Sequence, residues 1–144
     1  MTATTVLWRP TGPAELQLMR DHSMDAELRA ELLRRSEIDQ QARIACTPLF
    51  AKSADGVVRL DDLEPEDRAV LDRLHEVDRD NTAWLTDLVT RSGWPGRPLV
   101  GEDGASAAWL LAQHADRDPA FQRRCLDLMS ALPESEVSAA DRAY

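Results

Sequence analysis

Lysine is nearly missing from this 144-residue chain. Of its 17 basic side chains only Lys52 is a lysine, and the others are arginine. With abundant Ala, Asp and Leu, that bias is the signature of a GC-rich bacterial coding sequence. Basic charge is scarce altogether: 26 acidic residues leave a net charge of −9. A phosphate-backbone binder needs a basic face, so nucleic acid is not an expected partner. Cysteine is limited to Cys46 and Cys125, far apart and with no CxxC spacing. Both read as small buried hydrophobes rather than as a disulfide or reactive thiols. No run approaches the ~18 apolar residues of a transmembrane helix. The opening "MTATTVLWRPTG" has no basic stretch leading into a hydrophobic segment, so no signal peptide is read there. The expected location is cytoplasmic, away from membranes. The glycines of "VGEDGAS" are too few and too acidic to cradle phosphate well. There is no HExxH, no recurring Glu-x-x-His pair, and no nucleophile motif around a Ser or Cys. Neither a metal nor another cofactor is expected.

The apolar fraction is 43% and the charged fraction 30%, as in soluble globular proteins. A chain of this length fits one domain and buries roughly two-thirds of its surface. The β-branched, apolar residues 4–8, "TTVLW", predict a short strand, stopped by "RPTGP". Residues 13–22 predict a short helix with Pro13 near its first turn. Residues 25–46 carry strong helix formers without Gly or Pro, and Asp25 is the N-cap candidate. Residues 47–58, with Pro48 and Gly56, read as a loop. A helix follows from "EPED", with Pro65 and acids at its positive end, and Gly93 stops it. "GWPGRP" is a rigid turn before a helix over 102–115. Asp118 caps the next helix, which starts at Pro119 and ends near 132–133; Ser138 caps the last. The expected fold is therefore mainly α: one bundle of five to six helices over 25–144, with residues 1–24 as an extension packed on it.

Helical periodicity exposes an anomaly. In the helix from "EPED", Val70, Leu71, Leu74, Val77, Trp84, Leu85, Leu88 and Val89 form one apolar stripe. Asp78 and Asn81 fall inside it. In the helix over 25–46, Asp39 and Arg43 share the side of Leu28, Leu32 and Cys46, four residues apart and able to pair across one turn. In the helix over 102–115, His114 shares the side of Leu110 and Leu111, and Gln113 lies about 100° away from it. Buried polar groups are costly unless paired. Three helices with the same anomaly predict a shared polar centre of Asp39, Arg43, Asp78, Asn81 and His114, with Gln113, Asp116 and Gln122 at its rim.

The chain also resembles the small bacterial domains of unknown function catalogued as DUF6624. The likeness rests on "LLRRSEIDQQAR", on "VDRDNTAWLTDLVTRSGWPGRPLVGEDGASAAWLLAQHADRDPAFQRRCLDLM" and on the final "AY", across residues 25–144. It implies signature positions at Asp39, Arg43, Asp78, Asn81, Gly93, Trp94, Pro95, Gly101, Gln113, His114, Asp116 and Gln122. The segment "VLWRPTGPAELQLM" is an extension to that pattern. The family's Gln/Tyr/Gly-rich C-terminal continuation has no counterpart before Tyr144.

These residues suit acid/base chemistry. Histidine titrates near neutral pH, so His114 is the expected general acid or base, with Asp78 or Asp116 orienting its ring. Asp39 and Arg43 form an ion pair, or Arg43 clamps an anionic group of a ligand. Asn81, Gln113 and Gln122 position a substrate. Trp94 either packs on the core or lines a pocket. The expected function is hydrolysis or group transfer on a polar small molecule or peptide, by a monomer or homodimer. The alternative is a non-catalytic interaction domain whose inward polar residues fix the helix packing.

Overall fold

The computed structural model describes residues 24–143 together with Gly12. The predicted strand at 4–8 and helix at 13–22 lie outside the described residues. Among the described residues there are five α-helices and no strand. They are α1 (Ala26–Ala51), α2 (Pro65–Ser92), α3 (Arg97–Gln113), α4 (Pro119–Ser130) and α5 (Ala139–Arg142), with one 3-10 turn at Leu60–Asp62. The mainly α bundle expected from periodicity is what forms.

α1 starts where its cap predicts: Asp25 Oδ1 accepts from the Leu28 N–H at 3.0 Å. It runs past the expected end at residue 46, through Pro48 to Ala51. Proline inside a helix costs ~3 kcal/mol. Here Leu49, one residue on, is buried against Cys46, Leu71 and Leu74. Burying a leucine returns about 1.5–3 kcal/mol, which offsets the cost and carries the helix one turn further. α2 begins on Pro65 and ends on Gly93 at φ 75°, a backbone region that only glycine enters freely.

α3 opens earlier than expected. Residues 97–100 make one helical turn, Gly101 breaks it at φ 75°, ψ 172°, and the main helix resumes at the predicted point. Its inner face is small: Gly104, Ala105, Ala107, Ala108 and Ala112 are buried. Small side chains let helix axes approach closely, and α3 packs along α1 more extensively than on any other helix. α4 is capped by Asp118, whose Oδ1 accepts from Phe121 N–H at 3.0 Å. Ser138 caps α5 by accepting from Asp141 N–H.

The buried apolar residues fall into two clusters. One gathers Leu32, Leu85, Leu111, Phe121 and Trp94 with the alanines of α3. The other is Ala42, Cys46, Leu49, Leu71, Leu74 and Val77, between α1 and α2, with Val58 and Leu63 of the segment joining them packed against it. Both cysteines are free and buried, as expected; burial pushes the Cys125 thiol up to about 12. No helix of the described residues is long and apolar enough to cross a membrane.

Gly101 supplies a direct check. An alanine there takes on a backbone conformation costing about 1–3 kcal/mol. Its Cβ would also lie 3.3 Å from Asp103 Oδ1. Gly101→Ala is expected to lower the thermal midpoint by several degrees in a circular-dichroism melt. An unchanged midpoint would show that the break between the two parts of α3 is not under this constraint.

Candidate active site

Between the two apolar clusters α1 and α2 change character. On α1 the buried series Leu32, Asp39, Ala42, Cys46 passes through a carboxylate. On α2 the series Leu74, Val77, Asn81, Leu85 passes through an amide. Asp39 and Asn81 are the buried polar residues among those described.

Asp39 has no solvent exposure at all. A bare carboxylate there would cost several kcal/mol, so its surroundings compensate. Its Oδ2 lies 2.7 Å from His114 Nδ1 and accepts from Arg43 Nε at 3.3 Å. Arg43 Nη2 donates to Asp78 Oδ1 at 2.6 Å. Arg43 Nε also comes within 2.8 Å of His114 Nδ1, in donor geometry. One ring nitrogen cannot donate to Asp39 and accept from Arg43 at once. A hydrogen on Nδ1 serves the carboxylate of Asp39, and a hydrogen on Nε2 leaves Nδ1 to accept from Arg43. In the first arrangement neutral His114 carries its lone pair on Nε2, which makes no hydrogen bond among the described residues.

The local backbone puts the ring there. His114 is the C-cap of α3 at φ −85°, ψ 3°, in the sparsely populated bridge region where active-site residues recur. Gln122 Nε2 donates to the carbonyls of Ala112 and Gln113 at 3.2 and 2.9 Å. Ala112 O also accepts from the Ala115 N–H at 3.2 Å, and Gln122 ties the end of α3 to α4 at the turn from His114 to Asp118.

The ring lines a cleft of about 910 Å³ between α1, α2 and this turn, along with Arg43, Asp78 and Asp116. That volume lies within the range of small-molecule sites. The His114 side chain is 23% exposed and that of Asp78 20%. Burial pushes the Asp78 carboxyl above the ordinary carboxylate range; Arg43 and His114 oppose the shift, and Asp39 adds to it.

The expected residues divide between four places. Asp39, Arg43, Asp78 and His114 meet, and Asp116 stands on the same cleft. The partner of the imidazole is Asp39, where Asp78 or Asp116 was expected. Asp78 is held by the far end of Arg43, and Asp116 turns toward Gln122, at 3.4 Å. Asn81 lies elsewhere: its Oδ1 accepts from Arg35 Nη1 at 3.1 Å, and it lines a separate groove beside Arg34 and Arg73. Gln113 and Gln122 line a third, smaller cavity of about 260 Å³ that Asp116 also touches. Trp94 is buried in the larger core cluster, where its ring packs as core.

Sequence reading passed over Arg35, which also pairs with Glu31 and Asp80 and lies 4.6 Å over the Trp84 ring. It also passed over Phe50 and Thr82 on the cleft wall, which His75, read from its charged neighbours as solvated, lines with them. The i+7 spacing of Arg43 to Phe50 was the available signal for Phe50. No group of three His, Cys, Asp or Glu side chains among the described residues is arranged to hold a metal ion.

Two outcomes are expected. Arg43→Ala leaves Asp39 buried without its cation and should cost about 3–5 kcal/mol in equilibrium urea unfolding; a cost under ~1 kcal/mol would show that Asp39 is not compensated by Arg43. The raised Asp78 carboxyl means that the folded protein keeps a proton the unfolded chain has already released. Its contribution is thus fully present below the ordinary Asp value of about 3.9 and is lost as pH rises through the folded value. The stability of the wild type relative to Asp78→Asn should therefore shrink as pH rises out of the acidic range. A difference that widens instead would contradict the shift.

Comparison with protein-family models, with curated proteins and with solved structures returned no match to this chain.

Proposed function

We propose that this domain is a small helical enzyme that uses His114 for acid/base chemistry on a small polar molecule or peptide, by hydrolysis or group transfer. One observation carries the reading: His114 Nδ1 lies 2.7 Å from the wholly buried Asp39, and the same ring lines an open cleft. A carboxylate that fixes the tautomer and stabilises the imidazolium is what makes a histidine an effective general base. His114 is the catalytic group, and Asp39 is a positioning residue behind it. Arg43 holds Asp39 and Asp78 in place. Asp78 and Asp116 face the cleft, where each can accept a proton or a hydrogen bond from a ligand. Water is the nucleophile that this arrangement suits, since no Ser or Cys is bonded to the imidazole among the described residues.

The proposed membership of DUF6624 rests on the sequence motifs alone. It selects the same residues, Asp39, Arg43, Asp78 and His114. The arginine-rich composition fits a bacterial source, and natural-product metabolism in the cytoplasm is the setting we propose, with the protein as monomer or homodimer.

A non-catalytic interaction domain is the second reading. The ion pairs joining α1 to α2, and His114 to α1, favour it, because they would fix helix packing whether or not chemistry occurs.

His114→Ala separates the two. As an enzyme, the protein should lose about 10²–10⁴-fold of its turnover on any hit from a panel of ester and amide substrates. Its melting point should stay within a few degrees. A variant that melts far lower, from a wild type that turns over nothing in the panel, would leave the interaction reading in place.

A further inference from the structure

The cleft is longer than the imidazole needs, and its wall changes along its length. Arg43 and Phe50 lie seven residues apart on α1, as do Asp78 and Leu71 on α2. Seven residues are two helical turns, about 10 Å along the axis, on one face. One level of the cleft is therefore ionic, with Arg43, Asp78 and His114. The level two turns away is apolar, with Phe50 and Leu71, and Leu74 and His75 lie about one turn from Asp78 between the two levels. Leu71 and Leu74 are buried in the smaller core cluster, whereas Phe50 is 47% exposed.

On the other side of Asp78, α2 presents Thr82, Thr86 and Thr90 to the same cleft, one per turn. The Thr86 and Thr90 hydroxyls donate to the carbonyls of Thr82 and Thr86, at 2.7 Å each. Their hydrogens are committed, so toward a ligand they act as acceptors, Thr90 with the one lone pair that Arg124 Nη1, at 3.1 Å, leaves it. The acceptors at Thr86 and Thr90, with the Thr82 hydroxyl beside Asp78, suit a moiety that carries N–H or O–H groups.

We infer that the substrate is an acyl conjugate: an apolar acyl group on the Phe50 side, joined through an amide or ester at His114 to a donor-bearing polar moiety on the threonine side. This rests on the enzyme reading above and gives it a substrate class. In the reaction, His114 Nε2 takes a proton from water as the water oxygen bonds to the carbonyl carbon. The carbon–nitrogen or carbon–oxygen bond to the polar moiety then breaks. The imidazolium returns the proton to the departing nitrogen or oxygen. The products are a carboxylic acid and an amine or alcohol.

The test uses N-octanoylglycinamide and N-acetylglycinamide, which share a polar half and differ in acyl length. Calorimetry on the whole chain measures binding, and chromatography measures released glycinamide. The octanoyl probe is expected to bind at least tenfold tighter. Phe50→Ser should narrow that ratio to within about threefold while the protein still melts near the wild-type temperature. Ile44→Ser, which removes an exposed apolar side chain that does not line the cleft, should keep the wild-type ratio. Equal affinities, no binding of the octanoyl probe, or a ratio untouched by Phe50→Ser would overturn the inference. Preferential octanoyl binding without glycinamide release from either probe would uphold the ligand class and overturn the enzyme reading. Release of glycinamide at equal rates from both probes would uphold the enzyme and overturn the acyl preference.

Discussion

Asp39 is a carboxylate with no contact with solvent, and the centre of the molecule is arranged around that cost. Only one of its oxygens is compensated: Oδ2 faces both Arg43 and His114, while Oδ1 is buried and makes no hydrogen bond among the described residues. Replacing the whole set of Asp39, Arg43 and Asp78 by well-packed apolar side chains would often be neutral or stabilising. A helix bundle does not need it to fold. The place of Asp39 at the boundary of two apolar clusters is read through what it does to its neighbours. It holds Arg43 inward, and it holds an imidazole by one nitrogen with the other turned away.

The consequences spread along three helices. Arg43 spans from Asp39 to Asp78 and so joins α1 to α2 at the level where their hydrophobic seam is interrupted. His114 brings the end of α3 to the same point, and Gln122 locks that end to α4. The fold's small residues serve the same geometry. Gly101 breaks the first turn of α3 from the rest, and Gly104 with the alanines after it lets α3 lie close along α1. Dyad, cleft and packing are thus one arrangement, in which a polar layer divides a helical core and opens on one side.

Much of this was legible in the sequence, for physical reasons. Caps and stops were read from residue chemistry: Asp25, Asp118 and Ser138 accept from the N–H groups expected of N-caps, and Gly93 takes the positive φ expected of a helix end. Asp39, Arg43, Asp78 and His114 stood out because a polar residue in an apolar stripe violates the helical period. The same test drew in Asn81, which lies in a different groove. Periodicity gives an angle around one helix axis and says nothing about which neighbour covers that angle. Trp94 packs as core for a similar reason: the rigid turn that carries it runs inward. The extension of α1 through Pro48 was hidden because the compensating partners of Leu49, Leu71 and Leu74, come from another helix. The cleft wall, with Phe50 and Thr82, depends on how α1 and α2 align, which no local pattern encodes.

The central claim concerns one proton. If Asp39 fixes His114, neutral imidazole carries its hydrogen on Nδ1 and leaves Nε2 bare toward the cleft. Long-range proton–nitrogen correlation NMR of ¹⁵N-labelled protein reads this tautomer directly. The account predicts a protonated Nδ1 and an unprotonated Nε2 for His114 at neutral charge, lost on Asp39→Asn. An imidazole with its hydrogen on Nε2, and Nδ1 accepting from Arg43, would contradict it.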